Sequence, residues 1–207
     1  MIEETIFIPG PAGDLECRIT IPDGWANSGP VGICCHPHPL YGGSLSNKVV
    51  HIIGKTFNEL GCISLRFNFR GVGKSQGEFA NTVGERDDLL AVYNWVKQKY
   101  KDSPVWLAGF SFGACIALMA HETIKPERLL IVAPAVDMYP ELNKVQVVTQ
   151  DWILAQGEND EIISAPAVTV WKNKQAIEPK LLWFEDTGHF FHGKLTQLSE
   201  RIKSIWS

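Results

Sequence analysis

No stretch of this 207-residue sequence stays apolar for the roughly 18 residues that a membrane-spanning helix needs, so no transmembrane segment is expected. Positive charge is scarce: 19 Lys and Arg stand against 23 Asp and Glu, for a net charge of −4. A protein without a basic surface is a poor fit to nucleic acid or to an anionic membrane, and neither is expected as a partner. The start, Met1-Ile2-Glu3-Glu4, is acidic and lacks the basic n-region of a secretory leader. The five cysteines are odd in number and follow no disulfide-framework spacing. Cys34, Cys35, Cys62 and Cys115 lie in apolar runs, which points to buried, reduced thiols and a cytoplasmic protein. Repeats, low-complexity tracts and linkers are all missing. With 45% hydrophobic and 20% charged residues, a single α/β domain spanning 1–207 with a substantial core is expected.

What is present is a regular alternation of patterns. Thr5 to Ile8 and Leu15 to Ile21 alternate apolar and polar around Pro-Gly-Pro-Ala-Gly and predict an antiparallel hairpin. Val31–Cys35 is a short continuous apolar run, as in buried parallel strands, and Cys62–Phe67 reads as another strand. Helical spacing marks Ser46–Leu60, closed by Gly61, and Val83–Lys99. Further strands are predicted at Arg128–Val132, Asp151–Ala155 and Lys180–Phe184, with helices at Ala165–Gln175 and Phe191–Trp206. Such alternation implies a mostly parallel, twisted sheet covered by helices on both faces, in which ligands bind beyond the carboxyl ends of the strands.

One segment joins this architecture to chemistry. The apolar run Val105–Ala108 enters Gly109-Phe110-Ser111-Phe112-Gly113, and a helix-like run from Ala114 to Ala120 leaves it. Gly-x-Ser-x-Gly between strand and helix is the pattern of a nucleophile elbow. A serine hydroxyl is a weak nucleophile at neutral pH and needs a general base. His189, on the loop before the last predicted helix, is the candidate; His192, expected in that helix's first turn, competes with it. Asp160, in Gly157-Glu-Asn-Asp-Glu-Ile-Ile, is the candidate for orienting the imidazole, although an aspartate there could instead cap the next helix. Glu158, Glu161 and Asp186 are rival acids, Asp186 being badly placed only three residues before His189. An oxyanion would be held by the backbone N–H of Phe112 and by one from His36-Pro-His-Pro-Leu-Tyr-Gly-Gly. Proline has no N–H, so His38 and Leu40 remain open there, His38 slightly favoured.

These segments, with Phe67-Asn-Phe-Arg-Gly-Val-Gly-Lys-Ser, occur in an order that resembles the α/β-hydrolases. More narrowly, the chain resembles the small, lid-poor bacterial hydrolases related to dienelactone hydrolases and short-acyl carboxylesterases. The resemblance implies a serine hydrolase with an acyl-enzyme on Ser111, acting on small ester substrates without metal or organic cofactor. Dienelactone hydrolases proper use a cysteine nucleophile, from which Ser111 departs. The family's usual lid position falls at 133–150, a segment too short for a helical lid, where Val145, Val147 and Val148 look strand-like. A shallow acyl pocket drawing on Leu40, Tyr41, Met138, Tyr139 and Phe190 is therefore expected. A non-catalytic protein on this fold, and thioester, amide or lactone substrates, are the alternatives. Two other motifs point to different chemistry. Gly71-Val-Gly-Lys-Ser resembles the end of a P-loop, but the required earlier glycine is Asn68. His36-x-His38 resembles the metal pair of amidohydrolase barrels, which need about 250 residues. Oligomeric state and natural substrate have no signature in the sequence.

Overall fold

The computed structural model describes residues 1–207. Eight strands form one sheet: β1 (Ile2–Gly10), β2 (Gly13–Ile21), β3 (Val31–Cys35), β4 (Ile63–Phe67), β5 (Val105–Phe110), β6 (Arg128–Val132), β7 (Asp151–Gly157) and β8 (Lys180–Phe184). Five helices accompany them: α1 (Lys48–Glu59), α2 (Val83–Lys99), α3 (Phe112–Ile124), α4 (Ala165–Lys172) and α5 (Leu195–Trp206). The strand order is β1-β2-β4-β3-β5-β6-β7-β8, with the β1/β2 hairpin and the β2/β4 pair antiparallel and the others parallel.

Central strands β3 and β5 are buried throughout, and their side chains divide between two cores. Ile33, Leu107 and Ile131 face α2, α3 and α4, packing with Leu89, Val92, Ile116 and Trp171. Their neighbours Cys34, Trp106, Ala108 and Leu130 face α1 and α5, packing with Val50, Phe57, Ile202 and Trp206. This period-two division explains why strands with helices on both sides read as unbroken apolar runs. All five cysteines are free and buried within these layers. No helix is long and apolar enough to cross a membrane.

Strand and helix ends shift by a few residues from the sequence reading, and the larger differences lie in the second half of the chain. Helix α5 begins at Leu195 rather than Phe191, because Phe191 and Gly193 both take positive φ, 53° and 72°. Phe191 turns its ring inward onto Phe184, with centroids 5.3 Å apart. Helix α4 stops at Lys172. The segment between β6 and β7 holds only a five-residue 3-10 turn, Pro140–Lys144, and Val145–Val148 form no strand. Strands β6 and β7, which flank the segment, are already paired on both sides. Instead the Val147 N–H donates to Gln175 Oε1 at 2.9 Å, and the carbonyl of Gln146 lies 3.1 Å from His121 Nε2.

Candidate active site

Strand β5 delivers Ser111 at the carboxyl edge of the sheet, and α3 starts on the next residue. Ser111 sits at φ 56°, ψ −118°, a strained backbone for a residue with a Cβ. Its N–H donates to Val132 O at 2.9 Å and its carbonyl accepts from Ala114 N–H at 3.0 Å, so both neighbouring elements hold the turn. The flanking glycines are sterically required. A Cβ on Gly109 would stand 2.2 Å from Gly113 O, and one on Gly113 would stand 2.4 Å from Cys35 O.

Two further loops bring their side chains to this serine. The loops after β7 and β8 are tied together by Glu158 N–H to Phe184 O and Asn159 N–H to Thr187 O. His189, buried against Phe110 with ring centroids 4.9 Å apart, places Nε2 3.0 Å from Ser111 Oγ and Nδ1 2.8 Å from Asp160 Oδ2. The Asp160 carboxylate is fully buried. It also accepts from Gln156 Nε2 at 3.1 Å and from the N–H groups of Ile162 and Ile163 at 3.0 and 2.7 Å. Burial alone would push this carboxyl up. The hydrogen bonds from His189 and the backbone outweigh it and hold the group below its ordinary value. An ionised Asp160 can only accept, so Nδ1 of His189 carries the proton and Nε2 presents its lone pair to the serine hydroxyl.

The competing side chains lie elsewhere. Ser164, not Asp160, caps α4. Asp186 and Glu158 are exposed, and His192 is exposed outside the helix in which it was expected. Glu161 is more than a rival acid: its Oε2 accepts the backbone N–H of His189 at 3.0 Å. Sequence reasoning missed this positioning contact, and it missed Gln156. A glutamine closing the strand four residues before Asp160 was the available signal.

The N–H groups of Phe112 and His38 find no acceptor in the chain, whereas Leu40 N–H donates to His38 Nδ1 at 3.2 Å and Leu40 itself is exposed. The His38 ring rests on Phe112, centroids 4.9 Å apart. Burial holds the His38 imidazole below its usual value. His36 uses both nitrogens within the fold: Nδ1 lies 2.6 Å from Pro37 O, and Nε2 accepts Phe69 N–H at 3.0 Å, leaving neither for a metal. The Gly71–Ser75 loop is likewise engaged, its Lys74 N–H donating to Glu16 Oε2 at 2.8 Å, and no helix follows until Val83.

A pocket of about 430 Å³ opens over Ser111 and His189. Tyr41 and Phe190 line it, together with His38 and Asn47. Leu40, Met138 and Tyr139 do not. Tyr139 packs on the Phe112 ring at 5.8 Å, behind the pocket wall, and Met138 is exposed. Ile162, which completes the wall, was missed; its backbone is pinned there by Asp160. None of the ten lining residues is acidic.

The family model Hydrolase_4, serine aminopeptidase S33, matches residues 42–175. Among solved structures, XC6422 from Xanthomonas campestris, a member of the α/β serine hydrolases without lid, superposes with a TM-score of 0.93 at 37% identity, covering 98% of this chain and 92% of that one. An α/β serine hydrolase homologue from Coxiella burnetii gives 0.91 at 42% identity, covering 98% and 96%. The uncharacterised protein RP471 of Rickettsia prowazekii is 34% identical over 209 residues, 95% of this chain and 86% of its own length.

Proposed function

The chain belongs to the α/β-hydrolase superfamily, as a lid-poor bacterial member in the serine aminopeptidase S33 group, and from that premise we propose that it cleaves short-acyl carboxylic esters through an acyl-enzyme on Ser111. The observation that carries the reading is the unbroken line of hydrogen bonds from Asp160 through His189 to Ser111, 2.8 and 3.0 Å long. In this mechanism Ser111 Oγ attacks the ester carbonyl while His189 Nε2 takes its proton. Asp160 orients the ring and stabilises the imidazolium. The N–H groups of Phe112 and His38, free of other acceptors, receive the charge that develops on the carbonyl oxygen. His189 then protonates the departing alcohol, and water, activated by the same histidine, releases the acid.

An aminopeptidase reading follows from the family's description. An enzyme that selects a free N-terminus needs a carboxylate to hold the ammonium group, and the wall of the pocket offers none. Esters, which carry no ammonium group for a carboxylate to hold, fit the site better. A fluorophosphonate probe is expected to label Ser111. Ser111→Ala should lower kcat on p-nitrophenyl acetate by several orders of magnitude. Labelling elsewhere, or unchanged turnover, would refute the proposal, and faster cleavage of aminoacyl p-nitroanilides than of acetate esters would restore the peptidase reading.

A further inference from the structure

A second cavity, of about 390 Å³, lies on the α1/α5 side of the sheet and is lined by Arg18 of β2, Arg66 of β4, Ser46, Lys48 and His51 at the start of α1, Ile52 and Leu195. Its polar lining is built of donors. Arg66 is the buried member, its side chain only 3% exposed and fixed by Nη1 donating to Leu45 O at 3.2 Å. The same Nη1 lies 3.1 Å from His51 Nδ1. A guanidinium can only donate, so Nδ1 accepts and the His51 proton sits on Nε2, a further donor. The Lys48 ammonium and the Ser46 hydroxyl make no hydrogen bond or ion pair within the chain.

One carboxylate meets this group: Glu3 accepts from Arg66 Nη2 at 3.0 Å and stands 3.9 Å from Arg18 Nε. Three lining cations against one carboxylate leave an excess of positive charge, in a chain whose net charge is −4. The imidazole of His51 registers this field: burial pushes it below its usual value, and Arg66 pushes it further. The positive end of the α1 dipole adds to the same potential. Arginine and lysine with a hydroxyl beside them are the donor set that suits a tetrahedral oxyanion.

We propose that this cavity binds a phosphate-type oxyanion, either free phosphate or a phosphomonoester headgroup, held by Arg18, Arg66, Lys48 and Ser46. Asn47, between two of these residues, lines the pocket over Ser111, so the two hollows share the turn that opens α1. The site stands independently of the ester-cleavage reading, and its test uses no activity assay. Inorganic phosphate titrated into the full chain at low ionic strength should bind saturably, one per chain, and raise the melting temperature. The double variant Arg18→Gln/Lys48→Gln, whose side chains leave the apolar cores untouched, should melt within a few degrees of the parent without phosphate. Its phosphate affinity should be at least tenfold weaker. Sedimentation with phosphatidylcholine vesicles, with and without phosphatidic acid, separates the sources. Phosphatidic-acid-dependent sedimentation lost in the double variant assigns a lipid headgroup, and phosphate binding without sedimentation assigns a soluble ligand. Absence of saturable binding by either probe, or binding unchanged in a folded double variant, would overturn the proposal.

Discussion

A carboxylate that accepts four hydrogen bonds while fully buried is ordered as an anion, and replacing one of its oxygens by an NH₂ group turns an acceptor into a clash of donors. Asp160→Asn should therefore leave the fold in place but reduce kcat by roughly 10³–10⁴, because the amide favours the wrong imidazole tautomer at His189. Asp186→Asn, at an exposed turn residue with φ 49°, should change kcat by less than about twofold. Steady-state kinetics on both variants decide the matter, and a reversal would move the orienting role to Asp186. His36 makes a separate demand on pH. Burial pushes its pKa down to about 4, whereas the unfolded chain's histidine takes a proton near about 6.5. The stabilisation from neutral His36 is thus complete above about pH 6.5 and is lost as pH falls towards about 4, the unfolded state binding the proton first. Two to three units of separation correspond to about 3 kcal/mol. Urea unfolding at pH 7 and 4.5 should show a fall of that order, and His36→Gln should have a much flatter profile. Equal slopes in the two proteins would show that His36 is not the group responsible.

At the scale of elements, the start of α3 packs closely against the end of β3. Gly113→Ala would put a methyl 2.4 and 2.5 Å from the carbonyl oxygens of Cys35 and His36, both backbone and unable to swing aside. The strand or the helix must move, at a cost of about 2 kcal/mol or more. For a chain of this size that is a drop of roughly 4–8 °C in Tm by calorimetry, and a Tm within 1 °C of the parent would refute the close packing. The strands and most helices were legible in the sequence because buried parallel strands are continuous apolar runs and α1 and α2 have clear helical spacing. The grouping of Ser111, Asp160 and His189 was legible because each follows a strand and the sheet gathers strand ends on one edge. What escaped depends on backbone geometry. The start of α5 was misplaced because Phe191 adopts positive φ to bury its ring, which no periodicity announces. The pocket wall was half wrong because Met138 and Tyr139 were assigned by chain position, while Ile162 enters through a turn built on Asp160. Glu161 reads from sequence only as an acid, yet its contact is to the main chain of His189.

For the molecule as a whole, the short connection between β6 and β7 governs what can be held over Ser111. With one 3-10 turn there and no inserted helices, an acyl chain is covered by the pocket wall alone. Each added methylene gains about 0.8 kcal/mol only while it is buried. Rates on p-nitrophenyl esters should accordingly peak between acetate and butyrate and fall by octanoate; a maximum at octanoate or beyond would require a tunnel that the 133–150 segment does not provide. The buried thiols have a consequence of another kind. All five lie inside the packed layers, and burial pushes Cys34 up to about 12 and the other four upward as well, so none offers a thiolate at neutral pH. A single cysteine introduced on the exposed surface would then be the one group that a maleimide meets in the native protein. Fluorophores, spin labels or a solid support could be attached at a chosen point without first stripping out the native cysteines.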